Sequence, residues 1–284
     1  MSSVQSLFER EFQSLVLVGA DSDNRRSVYL VTVSIVIPVY KAAAHIQPLM
    51  DVLLPVLRGL ASESELIFVD DGSPDDTVRQ LAALKETLRH QYPDAPDIRI
   101  IRLKENYGQQ AAVYCGLLHA RGESVVTMDD DLQHPPSYLP EFLRLSRDYD
   151  LSYAHPDRDR REGSLQYGSR MRDLFFRKIL GCPPEITPGS FRVISRRAVE
   201  AVRGRAGTFV YVSALLFRSL PDMKVQNLKY STADVTTSTF GNSPSRFSLS
   251  GRILLYLKLV FYYTLPFTGW INRDAQPYVI REEL

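Results

Sequence analysis

The chain has 284 residues, 44% hydrophobic and 24% charged, an ordinary globular composition with room for one large domain or two small ones. Its formal net charge of +1 singles out no strongly charged partner, and nucleic acid is not expected. Two cysteines, Cys115 and Cys182, exclude a disulfide framework and a cysteine zinc site, so a reducing, cytoplasmic compartment is expected.

Residues 1–30 carry no signal-peptide pattern, because the apolar piece Leu15–Ala20 is too short and follows acidic residues. They read as an accessory extension. The segments VTVSIVIPV (31–39), ELIFV (65–69), IRIIRL (98–103) and ESVVTM (123–128) are apolar and rich in β-branched residues, as buried strands are. Between them lie helical patterns. In TVRQLAALKETLR (77–89) the apolar positions Val78, Leu81, Ala82, Leu84 and Leu88 fall on one side, and GQQAAVYCGLLHA (108–120) has helical period with Gly122 just beyond it. Strands alternating with helices predict an α/β fold, a mostly parallel sheet with helices on both faces. After residue 151 the pattern changes. A basic, aromatic helix ending at Gly181, a strand SFRVI, a helix from Ser195, a helix VSALLFRSL and a strand KVQNLKY follow.

In such sheets ligands bind beyond the carboxyl ends of the strands. Two acidic segments fall there: Asp70 and Asp71 after ELIFV, and Asp129, Asp130 and Asp131 in VVTMDDDLQHPP. Taken alone, either is read as a solvated turn or a helix cap, and Ser73 or Asp75 is a candidate cap. Behind a buried strand, however, adjacent carboxylates raise one another's pKa unless a cation compensates. Their oxygens suit magnesium or manganese, and Gln133 adds an oxygen from the same loop. A metal so held stabilises a leaving diphosphate, as in transfer from a sugar nucleotide. Neither GxGxxG after a strand nor GxxxxGK[ST] occurs, which removes the main support for dinucleotide and P-loop readings.

The ordered segments VSIVIPVY, FVDDGSPDDT, NYGQQAAVYCGLLHARGESVVTMDDDLQHPP and SFRVISRR resemble the family 2 glycosyltransferases of the GT-A fold. The nearest branch is the polyprenyl-phosphate glycosyltransferases, which include the dolichol-phosphate mannose synthases. The resemblance covers about residues 31–265. It implies a Rossmann-like GT-A domain at 31–230 and an acceptor- or membrane-facing segment at 231–284. It places Pro38, Tyr40, Asp70 and Asp71 in the nucleotide site, with Asn106, Gly108 and Gln109 matching the loop-to-helix motif. Asp129 is implied to contact nucleotide or metal, Asp131 and Gln133 the metal, and Arg192 a phosphate; Asp131 and Arg192 are the catalytic candidates. The implied cofactors are a divalent metal and a nucleotide sugar, with a UDP-sugar ahead of a GDP-sugar.

Three departures stand out. Lys41 and Ala42 replace the family's Asn-Glu, Ser190 replaces an aspartate, and TSTFGNSPSRFSL has Ser238 where an arginine is usual, with an insertion around Pro244. A hydroxyl acceptor needs a general base, and Asp130 and His134 are the candidates; an acceptor phosphate is already anionic. The change at Ser190 fits the second case, in which Arg158, Arg160, Arg161, Arg192 and Ser190 face the acceptor.

The expected function is metal-dependent inverting transfer of a sugar, as a hexosyltransferase, to a lipid phosphate at the cytoplasmic membrane face. The rivals are transfer to a glycan hydroxyl in surface polysaccharide assembly and a degenerate binding protein. Homo-oligomerisation is left open. Residues 246–270 are expected to lie on the membrane surface without spanning it. Lys258 and Pro266 interrupt an 18-residue apolar stretch, and Tyr256, Phe261, Tyr262, Tyr263 and Trp270 would settle at the boundary. The rival is a helix packed on the catalytic domain or at a subunit contact.

Overall fold

The computed structural model describes residues 33–60, 63–92, 95–157, 175–231, 249–264 and 277–284. Among them, one eight-stranded sheet organises the domain. Its strands are β1 (Val33–Val39), β2 (Ser64–Asp70), β3 (Asp97–Leu103), β4 (Ser124–Thr127), β5 (Leu151–Pro156), β6 (Arg192–Ser195), β7 (Val225–Tyr230) and β8 (Ile280–Glu283), in the order β7-β5-β6-β4-β1-β2-β3-β8. The β4-β1-β2-β3 block is parallel, while β6 runs antiparallel to both its neighbours and β8 antiparallel to β3. The expected α/β sheet is therefore mixed at its flanks and parallel at its centre.

All seven residues of β1 are buried, because helices cover both faces. Alternation divides them between two cores. Ile35 and Ile37 pack with Leu49, Met50 and Leu53 of α1 (Ile46–Arg58), Leu81 of α2 (Thr77–Gln91) and Phe142 of α4 (Leu139–Leu145). Val36 faces the other core with α3 (Gln109–His119), α5 (Arg196–Val202) and α6 (Val212–Ser219). The fit against α3 is close: a Cβ on Gly116 would stand 2.2 Å from Val36 Cγ1. The last helix, α7 (Leu249–Thr264), packs Leu259 and Tyr263 into this second core.

Four elements escaped the sequence reading: α1, α4, β5 and β8. The last lies in INRDAQPYVIREEL, which reads as a polar tail; ion pairs Arg99–Glu283 and Arg102–Glu282 fasten it to β3 at the sheet edge. The extension at 1–30, the first part of the basic, aromatic helix and the stretch around Ser238 and Pro244 lie outside the described residues.

Candidate active site

β1, β2 and β4 run in register and end side by side, so Tyr40, Asp70 and the acidic turn emerge along one edge. That edge is tied together by backbone donors. The amide of Lys41 donates to Ser73 Oγ at 2.9 Å, that of Ala42 to Thr77 Oγ1 at 2.9 Å, and that of Asp71 to the Val39 carbonyl at 2.9 Å. Pro38 is buried within β1, and Tyr40 is half-buried just beyond it.

The paired aspartates after β2 are not free carboxylates at a rim. Asp70 is fully buried, accepts the Ser73 amide through Oδ2 at 3.1 Å and lies 3.6 Å from Arg102 Nε. Burial pushes its carboxyl up, countered by Ser73 and Arg102. Asp71 accepts the amides of Tyr107 at 2.7 Å and Gly108 at 2.8 Å, one on each oxygen. Burial pushes it up to about 6, against those two bonds. Both carboxylates, read from sequence as nucleotide contacts, hold the loops that follow β2 and β3. Gly72 makes this possible: its φ is +68°, and a Cβ there would stand 2.6 Å from the Glu105 backbone.

The loop held by Asp71 leads directly into α3, and α3 begins with Gln109. Gln109 Nε2 donates to Asp129 Oδ1. Ser190 Oγ donates to Asp129 Oδ2 at 2.7 Å. One carboxylate of the acidic turn is thus gripped from two sides, by residues read from sequence as a cofactor contact and an acceptor contact. Asp130 turns elsewhere, with Oδ2 3.6 Å from His45 Nδ1 beside α1. Burial pushes its carboxyl up, with the charges of Asp131 and Asp129 adding and His45 opposing. Leu132 takes φ +61°, which curls the turn so that the Gln133 amide donates to Asp131 Oδ1 at 3.1 Å. Oδ2 of Asp131 has no hydrogen-bond partner among the described residues, and Gln133 itself is exposed.

This donor set fits a hard divalent ion: an open carboxylate oxygen on Asp131, lone pairs remaining on Asp129, and the Gln133 amide oxygen in the same turn. Among the described residues no group of three or more His, Cys, Asp or Glu side chains gathers at one point, so an ion here would complete its shell with water or ligand oxygens. Magnesium and manganese commonly complete their shells with substrate phosphates.

Arg192 departs from the sequence expectation in placement. It is 2% exposed, with Nε donating to Thr127 Oγ1 at 3.0 Å and Nη1 to Ser213 Oγ at 2.9 Å. Two arms of its fork are therefore committed inside the fold rather than to a phosphate. His134 accepts the Asp129 amide on Nδ1 at 3.0 Å and stacks on Phe191 at 4.9 Å. Arg158, Arg160 and Arg161 lie outside the described residues. The residues that sequence reasoning missed are Thr127, Ser213 and Tyr153, all buried around Arg192. No local signal marks them, since their polar atoms meet only after β4, β5, β6 and α6 assemble.

The sequence profile of Glycosyl transferase family 2 matches residues 34–203, from the second residue of β1 to just past the end of α5. The chain belongs to glycosyl transferase family 2. An uncharacterised glycosyltransferase of Synechocystis is 34% identical over 178 residues, covering 61% of this chain and 53% of that protein. The undecaprenyl-phosphate 4-deoxy-4-formamido-L-arabinose transferase of Pseudomonas paraeruginosa is 32% identical over 171 residues, covering 60% and 49%. The chain thus spans about half the length of these curated relatives. Glucosyl-3-phosphoglycerate synthase of Mycobacterium tuberculosis, solved with Mn2+, UDP-glucose and phosphoglyceric acid, superposes with a TM-score of 0.56 at 16% identity, covering 83% of this chain and 80% of that one. The fold is of the GT-A type, and the domain is that of a transferase.

Proposed function

We propose that this family 2 enzyme transfers a sugar, with inversion, from a nucleoside diphosphate donor to a polyprenyl phosphate at the inner face of the membrane. The observation that carries the acceptor class is the bond between the Asp129 amide and His134. A backbone N–H can only donate, so Nδ1 is the acceptor and the neutral ring keeps its proton on Nε2. Burial also holds His134 below its ordinary pKa, against the pull of Asp129 and Asp131. Neither nitrogen is then ready to take a proton from a hydroxyl. An acceptor phosphate needs none taken. The relative named for an undecaprenyl-phosphate transferase supports the same class.

Pro38, Tyr40 and the loops held by Asp70 and Asp71 would frame the nucleoside, while Asp129, Asp131 and Gln133 would hold the metal. When bound, that ion supplies positive charge to the departing diphosphate. UDP is the proposed donor nucleotide, in line with the solved relative. Arg158, Arg160 and Arg161 are proposed to meet the acceptor phosphate, and residues 231–284 to bring the domain to the lipid surface. The same sheet acting on a glycan hydroxyl would need Asp130 as its base, and the upward shift of that carboxyl is what favours this second reading.

The test offers the purified chain a panel of radiolabelled UDP- and GDP-sugars with manganese. Each is paired either with undecaprenyl phosphate or with oligosaccharide acceptors. Label that enters the organic phase only with undecaprenyl phosphate is the expected result. Label that accumulates on the oligosaccharide instead overturns the acceptor assignment.

A further inference from the structure

Asp129 is gripped by Ser190, and Ser190 is itself held by a buried chain of bonds that runs back to Arg192. We propose that Thr127 and Arg192 are positioning residues which aim Asp129 by fixing the direction of that chain. This deepens the reading of Asp129 as a metal or nucleotide contact and rests on it.

Thr127 ends β4 and stands directly opposite Arg192 of antiparallel β6. The Thr127 hydroxyl makes two bonds: it meets Arg192 Nε at 3.0 Å and the Ser190 carbonyl at 2.6 Å. A hydroxyl has one proton, and a guanidinium N–H can only donate. Thr127 must therefore accept from Arg192, and its own proton goes to Ser190. That pins the Ser190 backbone, from which the hydroxyl reaches Asp129 Oδ2 at 2.7 Å. Thr127 is 1% exposed and β-branched, so its χ1 has little freedom to break the pattern.

The burial of Arg192 supports the same role. A guanidinium taken from water is costly unless paired. Yet among the described residues no carboxylate lies within 4.0 Å of it, and its bonds go to Thr127 and Ser213. Burial lowers its pKa, while Tyr153, Tyr211 and Asp129 oppose that shift. Asp129 is the carboxylate among these opposing groups. A cation held at that depth orders a motif without giving up its fork to a ligand.

The experiment uses the full chain and three variants, Thr127→Val, Thr127→Ser and Ser190→Ala. Mn2+ binding in the presence of UDP is measured by calorimetry and by the resonance signal of free Mn2+. The valine variant keeps the volume and loses both bonds, so its Kd should rise about 10-fold or more. Serine restores the hydroxyl and should bring binding back to within about 3-fold. The alanine variant removes only the last link and should resemble valine. It decides the matter if the valine variant does not fold. Wild-type affinity in Ser190→Ala, or a serine variant as poor as valine, would overturn the relay.

Crystal structures of ligand-free Thr127→Val and Ser190→Ala separate this inference from the reading beneath it. An Asp129 carboxylate still in its wild-type position in both refutes the relay whatever binds. Wild-type protein that binds no Mn2+ with UDP refutes the metal assignment, while a displaced Asp129 in the variants still upholds the relay.

Discussion

The Asp129 amide donates to His134 Nδ1 at 3.0 Å, while Nε2 of the same ring stands 3.9 Å from Asp129 Oδ2. The imidazole is thus a brace for the acidic turn, fixed from below by stacking on Phe191. An asparagine carries an acceptor oxygen close to the place of Nδ1, whereas alanine carries none. His134→Asn should keep activity within about 10-fold of wild type, and His134→Ala should lose about 10-fold more, because an orphaned buried amide costs about 1–3 kcal/mol. Steady-state kinetics of the two variants check this. Equal, near-complete loss in both would restore His134 as a candidate base.

The turn that His134 braces gives its three aspartates different surroundings. Asp131 keeps an oxygen without a partner among the described residues, while Asp130 lies toward His45. Asp131→Asn should lower kcat by about 100-fold or more at modest manganese, several kcal/mol of barrier, with the fold intact. Asp130→Ala should cost less. Turnover with manganese titration and circular dichroism measure both, and near-normal activity in Asp131→Asn would remove the metal assignment.

Lys41 takes φ +55°, a left-handed conformation that asparagine tolerates better than lysine. The family's usual asparagine at this place matches the backbone that this chain still adopts. The Lys41 ammonium offsets some of the strain by standing 5.3 Å from the Tyr40 ring centre. Lys41→Asn should raise stability by about 0.5–1 kcal/mol, visible as a few degrees in Tm. Thermal unfolding decides it; a lower Tm would mean that the cation over Tyr40 outweighs the backbone strain.

The central fold was legible in the sequence because β1 to β4 are apolar runs punctuated by helical periods. β8 was not, since Arg281, Glu282 and Glu283 read as a tail until Arg99 and Arg102 are seen opposite them. The acidic turn was legible as chemistry, because three adjacent aspartates after a buried strand serve no packing purpose. The duties of Asp70, Asp71 and Arg192 were not, because sequence shows a charge without its partner. Here the partners are backbone amides and hydroxyls, with Arg102 beside Asp70, and none of them can be paired from sequence alone. The resemblance to a family pointed to the edge where β1, β2 and β4 end, and only the geometry separates side chains that hold loops from those left open.

Asp71 offers a pH test of that distinction. Its folded pKa of about 6 lies above the ordinary 3.8, so the native state binds the proton more tightly than the unfolded chain does. The stability it contributes is full below the unfolded pKa and is lost as pH rises through about 6. The span of about two units corresponds to at most about 3 kcal/mol. Asp71→Asn does not titrate and pays a fixed cost, because one amide oxygen must serve both Tyr107 and Gly108. The stability gap between wild type and variant should therefore narrow between pH 4.5 and 7. Urea unfolding at several pH values measures it. A gap independent of pH would show that the Asp71 proton is held no more tightly than in the unfolded chain.

Helix α7 carries two apolar faces. Leu259 and Tyr263 are buried against the domain, where Tyr263 Oη accepts the Tyr211 amide at 3.0 Å, so Tyr263 does not reach a membrane boundary as its sequence context suggests. Leu257, Val260 and Phe261 are 62%, 42% and 49% exposed, with Lys258 beside them. No helix among the described residues is long and apolar enough to cross a membrane. The packed face meets the rival expectation of a helix docked on the domain, and the exposed face keeps the surface-binding expectation open. Burying three such side chains in the interfacial region is worth about 3 kcal/mol, roughly 100-fold in partitioning. Replacing Leu257, Val260 and Phe261 together by serine should abolish flotation with phosphatidylglycerol vesicles and leave turnover of a short, water-soluble polyprenyl phosphate within about 3-fold. Flotation unchanged by the triple replacement would rule out this face as the anchor. A triple variant that floats normally but changes from dimer to monomer in sedimentation would assign the face to a second copy of the chain.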